Sequence, residues 1–521
     1  MRKKQAFLAH GAVMNAGMMI IMMGASHPLS AQNVAAHSAS APVACNDDAA
    51  RTQLGVDTAR ARTVAATDGP SAPPAYCEIS ATLSPVEGSA IGVVYRLPND
   101  WNGKMLGLGG GGWAGNVTIE AASAGLRAGY ATAQTDGGHA DTSPWQNEWT
   151  ANPIAATDFS WRAIHEMTQA GKKLVTAYYG KAQDKAYFHG CSTGGRMALM
   201  EAQRFPDDYD AIISAAPVYS LQVQTSAVLR NNAFAVPGAG LDASHLKLVN
   251  NAVLAACDAK DGVTDGIIAS PRQCAWDPSV LSCKAGQTDG CLSAPQIKAL
   301  RIAYDGIRAP DGSWAQTPLS RGGELGWPVF IAVQGSGADV SKGGGMPGLS
   351  RPLFGVDGFD YGKLDPAKDV LRARSSAFAK TYEAINPDLS PFFARGGKLL
   401  MWHGESDPGP APIGTIDYVE AVHKNTPAAS GNLRMFLAPG VEHCRGGPGT
   451  DQIDVLSALD HWVSSGTAPE TLVATRADGK MTRPLCVWPL IARYQGKGDV
   501  NDPAHYSCVR AISKQMASSA G

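Results

Sequence analysis

The stretch that most limits what this chain can fold into is Gly190-Cys191-Ser192-Thr193-Gly194, a G-x-S-x-G pentapeptide. Apolar residues precede it, and a helical run follows over residues 195–204. A serine in that setting sits on a sharp strand-to-helix turn, flanked by glycines because no side chain fits where the turn meets its neighbours. Its hydroxyl stands above the edge of a sheet, beside the N–H groups and positive dipole end of the next helix. The alternative is an ordinary tight strand-to-helix turn. Around it, residues 79–136 read as strand-like, 159–179 as helical, and a further apolar strand begins near 396. That alternation implies an α/β fold with a mostly parallel sheet flanked by helices. Residues 219–391 break the rhythm with four cysteines, many Gly and Pro, and scattered aromatics, and read as a long insertion between core parts 32–218 and 392–521.

With 44% hydrophobic and 17% charged residues, the chain is neither disordered nor a polyelectrolyte. Its net charge of −2 gives no footprint for nucleic acid or anionic membranes. Arg2, Lys3 and Lys4, the apolar run 6–25, and Ser30-Ala31 read as a signal peptide over residues 1–31. His10 and Asn15 interrupt the run and argue against a transmembrane anchor, and no other apolar run is long enough to span a bilayer. The mature protein is expected in the periplasm or the medium, where paired cysteines are the default.

A nucleophilic serine needs a base, and the base an acid, in the chain order Ser, Asp or Glu, His. One apolar strand ends in His403-Gly404-Glu405-Ser406-Asp407, and another in Pro439-Gly440-Val441-Glu442-His443. Asp407 and His443 are therefore the expected acid and base; Glu405 is the competing acid, and His403 either lines the pocket or is structural. Two N–H donors for an oxyanion are expected from Thr193 and from the run Gly109-Gly110-Gly111-Gly112. No G-x-G-x-x-G or Walker lysine accompanies that run, so neither a nucleotide nor any other organic cofactor is expected. Cys191 precedes the nucleophile and Cys444 follows the base, so if Ser192 and His443 meet, the two cysteines approach disulfide distance. Asp258, Asp261 and Asp265, with two glycines among them, are either Ca²⁺ ligands or a solvated turn.

Together these motifs resemble the tannase and feruloyl esterase family. Thr135-Asp136-Gly137-Gly138-His139, Arg204-Phe205-Pro206, Arg483-Pro484-Leu485-Cys486 and Ile491-Ala492-Arg493-Tyr494 add to the likeness, which runs from about Cys45 to Cys508. The resemblance implies an α/β-hydrolase core with a large lid over 219–391, and a secreted serine esterase acting on small aromatic esters, plant polysaccharide- or tannin-linked ones among them. It implies Ser192, Asp407 and His443 as the triad and the N–H groups of Thr193 and Gly112 as the oxyanion hole. It further implies structural Ca²⁺ on Asp258, Asp261 and Asp265 with the carbonyls of Val263 and Ile267. The cysteines are implied to pair as Cys45–Cys77, Cys191–Cys444, Cys257–Cys274, Cys283–Cys291 and Cys486–Cys508. Gallate, hydroxycinnamate and terephthalate esters stay open as substrates. Mono(hydroxyethyl) terephthalate hydrolases of the family hold a free carboxylate with a lid arginine, for which Arg321 and Arg351 are candidates. Trp327 and Phe330 are read either as stacking partners for a phenolic ring or as packing residues. A peptidase and a non-catalytic hydrolase-fold binding protein are the competing readings.

Overall fold

The computed structural model describes residues 44–510, apart from 70, 116 and 335–345. The signal-peptide reading therefore falls outside the described residues. Nine strands form one sheet: β1 Arg60–Val64, β2 Tyr76–Leu83, β3 Ile91–Pro98, β4 Lys104–Leu108, β5 Ala131–Thr135, β6 Lys185–Cys191, β7 Ala211–Ala215, then β10 Lys398–Gly404 and β11 Leu433–Ala438. Their order is β1-β2-β3-β5-β4-β6-β7-β10-β11. From β5 to β11 every neighbour is parallel, whereas β1, β2, β3 and β5 pair antiparallel. This is the α/β-hydrolase fold.

The central strands are apolar on both faces because helices cover both. Ile212, Leu399, Met401 and Met435 point into one layer with the helices Ala163–Tyr179, Thr193–Arg204 and Pro412–Asn425. Their neighbours Ile213, Leu400, Trp402 and Phe436 point into the other, against the helices Ile119–Arg127 and Val455–Ser465. Period-two alternation explains how adjacent residues serve opposite layers. The helix Ile119–Arg127 lies inside the stretch read as strand-like. Thr118 caps it by accepting from the Ala121 N–H at 3.3 Å.

Among the described residues, 216–397, between β7 and β10, add no strand to the large sheet. Their first part gathers the helices Gln222–Ala235, Ala243–Cys257 and Ala294–Asp305 around Phe234, Val249, Leu300, Tyr304 and Trp327. It also carries the ribbon β8 Ile307–Arg308 and β9 Trp314–Gln316. The last part returns to the main core, where Phe354, Val370, Tyr382 and Phe392 pack beneath the sheet's helices. Strands β12 Gln452–Ile453, β13 Thr471–Thr475 and β14 Thr482–Cys486 form a small sheet, followed by the ribbon β15 Leu490–Tyr494 and β16 Tyr506–Arg510. All ten cysteines are bridged, as Cys45–Cys77, Cys191–Cys444, Cys257–Cys274, Cys283–Cys291 and Cys486–Cys508. Among the described residues no helix is long and apolar enough to cross a membrane.

Candidate active site

Strand β6 ends at Cys191, and Ser192 takes φ 62° and ψ −124° before the helix Thr193–Arg204 begins. That left-handed conformation is disfavoured for a non-glycine residue by about 1–3 kcal/mol, so the surroundings must impose it. They do so from several directions. Ser192 N–H donates to the Ala215 carbonyl at 3.1 Å, while its own carbonyl accepts from Arg196 and Val218 at 3.1 and 3.0 Å. A Cβ on Gly190 would stand 2.2 Å from the Gly194 carbonyl oxygen, and one on Gly195 would stand 2.4 Å from that of Ala215. Only glycine fits at either place.

The loops after β10 and β11 are joined by backbone hydrogen bonds, Glu405 N–H to the Ala438 carbonyl and Ser406 N–H to that of Val441, both at 2.9 Å. This brings the three expected residues together. His443 Nε2 is 2.8 Å from Ser192 Oγ, and His443 Nδ1 is 2.7 Å from Asp407 Oδ2. Burial pushes the Asp407 carboxyl up, but the charges and hydrogen bonds of His443 and His403 outweigh it and hold it down to about 2. As a carboxylate Asp407 can only accept, so Nδ1 of His443 carries the hydrogen and Nε2 is left to accept from the serine hydroxyl. The Cys191–Cys444 bridge spans the same junction, with Cα atoms 6.1 Å apart.

The loop Gly109–Gly112 follows β4 and lies against the nucleophile turn, where a Cβ on Gly109 would come 2.5 Å from Gly194 Cα. Gly112 has φ +59°. Among the described residues neither the Thr193 nor the Gly112 N–H donates to a protein acceptor. Beside the base, Phe330 meets the His443 ring edge-on with centroids 5.1 Å apart, and Trp145 meets Phe330 at 5.9 Å.

Other expected residues lie elsewhere. Glu405 is buried in a two-pronged ion pair with Arg272, at 2.6 and 2.8 Å, and has no contact with His443. Trp327 is a packing residue between Phe234 and Tyr304. Arg321 donates to the Trp276 carbonyl and stacks on Tyr304, and Arg351 pairs with Asp357 on the surface; neither contacts the Ser192–His443 pair. Two further residues support the site: His403, which the sequence reads as either pocket-lining or structural, and Arg230, which it does not single out. His403 is fully buried and lies 3.1 Å from Asp407 Oδ2, and Arg230 donates to the Gly409 carbonyl beside it. The His403-Gly404 step at a strand end was the available signal for the first; nothing local marks the second.

In the acidic loop, Asp258 accepts from the N–H groups of Asp265 and Gly266, Asp261 from Val263, and Asp265 from Ile267 and from Arg483 at 2.7 Å. Burial pushes the Asp261 carboxyl up to about 6, and the charges of Asp265 and Asp258 add to it. Three carboxylates against one guanidinium suit a hard divalent cation in donor type. Among the described residues, however, no three His, Cys, Asp or Glu side chains converge as a ligand set. Asp258 and Asp265 would have to turn from their present partners to join Asp261.

Sheet order and site geometry together define an α/β-hydrolase. The sequence profile described as "Tannase and feruloyl esterase" matches residues 77–319 and 342–509. The mono(2-hydroxyethyl) terephthalate hydrolase of Piscinibacter sakaiensis is 33% identical over 85% of this chain and 86% of its own length. Feruloyl esterase B of Aspergillus niger is 28% identical over 83% of this chain and 86% of its own. The crystal structure of feruloyl esterase B from Aspergillus oryzae superposes with a TM-score of 0.78 at 25% identity, covering 89% of this chain and 100% of that one. The chain belongs to the tannase and feruloyl esterase family, and it is a carboxylic ester hydrolase.

Proposed function

We propose that the protein hydrolyses esters of phenolic or other aromatic acids through an acyl-enzyme on Ser192. The observation that carries this is the unbroken relay from Ser192 Oγ through His443 to Asp407, at 2.8 and 2.7 Å. His443 takes the hydroxyl proton as Ser192 attacks the ester carbonyl, and Asp407 stabilises the imidazolium that forms. The N–H groups of Thr193 and Gly112 receive the oxyanion. Collapse expels the alcohol with the proton from His443, and water, activated by the same imidazole, releases the acid. The relatives' names support this substrate class: feruloyl esterases point to hydroxycinnamates, and the Piscinibacter enzyme to a terephthalate monoester. Galloyl esters complete the panel.

Ser192→Ala is expected to lower kcat by about 10⁶-fold on every ester of that panel and to abolish labelling by a fluorophosphonate. Turnover at the parent rate would sink the assignment. Side-by-side assays of methyl gallate, methyl ferulate and mono(2-hydroxyethyl) terephthalate rank the acyl groups. Export from the cytoplasm is part of the same proposal, supported by five bridges in a chain without a free cysteine among the described residues. We also propose one structural Ca²⁺ on the Asp258–Asp265 loop, with the carbonyls of Val263 and Ile267 completing its shell.

A further inference from the structure

The two oxygens of Asp407 are held in different ways. Oδ1 accepts from the Gly409 N–H at 2.8 Å, and the carbonyl of Gly409 accepts from Arg230 Nη1 at 3.3 Å, so backbone fixes that side. Oδ2 faces His443 Nδ1 at 2.7 Å and also His403 Nε2 at 3.1 Å. This second oxygen is the one that serves the base.

His403 occupies the penultimate position of β10, fully buried, with both ring nitrogens engaged. Nε2 is 2.7 Å from the Pro410 carbonyl as well as 3.1 Å from Asp407, and Nδ1 is 2.9 Å from Thr415 Oγ1. Carbonyl and carboxylate oxygens can only accept, so Nε2 carries the hydrogen and is shared between them, while Nδ1 accepts from the threonine hydroxyl. One tautomer of a neutral imidazole satisfies all three contacts. The terminal torsion of an aspartate is broad and nearly two-fold, so a carboxylate held at one oxygen alone could turn away from its partner.

We infer that His403 is a positioning residue for the ester hydrolysis: its Nε2–H holds Oδ2 of Asp407 in line with His443 Nδ1 without touching substrate. The inference rests on Asp407 being the acid of the relay. It makes β10 a double support, carrying the acid on its trailing loop and the acid's anchor at its penultimate residue.

The test compares kcat and KM of the full chain carrying His403→Leu, His403→Gln or Asp407→Asn, on whichever panel ester the parent turns over fastest. His403→Leu is expected to lower kcat by about 10- to 100-fold with KM unchanged, as loss of an orienting partner does elsewhere. His403→Gln keeps an N–H donor and is expected to recover part of that loss. A folded His403→Leu protein turning over at the parent rate, or a Gln variant no better than Leu, overturns the inference while Asp407 keeps its role. Parent activity in Asp407→Asn would instead remove the acid itself. Should the leucine variant fail to fold, Thr415→Val removes only the hydroxyl that orients the ring: a smaller fall in kcat supports the inference and an unchanged kcat overturns it.

Discussion

Two acidic loops of this chain hold their carboxylates in opposite ways. On the loop after β10, burial would raise the Asp407 carboxyl, yet the charges and hydrogen bonds of His443 and His403 draw it down to about 2. Its neighbour Glu405 is matched by both prongs of Arg272. On the loop from Asp258 to Ile267 three carboxylates meet one guanidinium, Arg483 on Asp265, and the Asp261 carboxyl is pushed up to about 6 by burial and by its neighbours' charges. On the first loop every carboxylate oxygen has a donor from the chain, three hydrogen bonds on Asp407 and the two prongs of Arg272 on Glu405; on the second, Asp258 and Asp261 have no ion pair among the described residues and only Asp265 has one. A cation from solution would therefore have unpaired carboxylates to meet on the second loop and none on the first. A bridge stands near each: Cys191–Cys444 joins the end of β6 to the loop after β11 beside the relay, and Cys257–Cys274 starts one residue before Asp258.

The sharpest way to break the comparison is to neutralise the completed loop. Asp407→Asn offers His443 an amide that can present its NH₂ to Nδ1, and kcat is expected to fall by about 10³- to 10⁴-fold, as in other triads. A loss of less than about tenfold, a 1.4 kcal/mol change in the barrier, would mean that the compensation around Asp407 is structural only. Next come the two bridges. Cys191–Cys444 closes 253 residues and Cys257–Cys274 only 17. In the chain-entropy account these contribute about 5.5 and about 3 kcal/mol, so the Cys191→Ala/Cys444→Ala variant is expected to melt lower than Cys257→Ala/Cys274→Ala. It should also lose activity at temperatures where it is still folded, because its bridge adjoins both the nucleophile and the base. Equal melting temperatures with full activity in both would remove the distinction.

Much of the catalytic loop could be read from sequence, and the reason is physical. A nucleophile turn needs glycines at fixed places, and Gly190 and Gly195 are there because a Cβ would strike the Gly194 and Ala215 backbone. Strand ends announce themselves by apolar runs, which put Asp407 and His443 each on a loop after a strand's C-terminal end. What was hidden depends on contacts between distant segments. Arg272 and Glu405 are 133 residues apart, and Arg230 and Gly409 are 179 apart, with nothing local to mark either pair. The helix Ile119–Arg127 is nine residues within a stretch that otherwise reads as strand, and its buried Ala122 and Leu126 pack with Leu106 and Leu108 of β4, a tertiary contact that settles its conformation. Trp327 and Phe330, three residues apart, could not be separated by sequence. A buried aromatic cluster claims the first, and the edge of His443 meets the second.

The smallest effect, and the finest edge on the comparison, is expected at the acidic loop. If it takes up a divalent cation, the purified protein carries one equivalent of calcium by metal analysis, and chelation lowers the melting temperature while leaving room-temperature kcat near the parent value. The ion stabilises by binding the folded state alone: at a free concentration a hundredfold above its Kd the gain is about 2.7 kcal/mol. Asp258→Ala/Asp261→Ala should remove the calcium and its contribution together, leaving a protein that chelator no longer affects. Arg483→Met sharpens this further. It frees the Asp265 carboxylate from its one ion pair at 2.7 Å, so the variant should depend on calcium more strongly than the parent. Protein free of calcium, with a melting temperature indifferent to chelator in all three forms, would show instead that backbone N–H groups and Arg483 suffice to hold three aspartates on one turn.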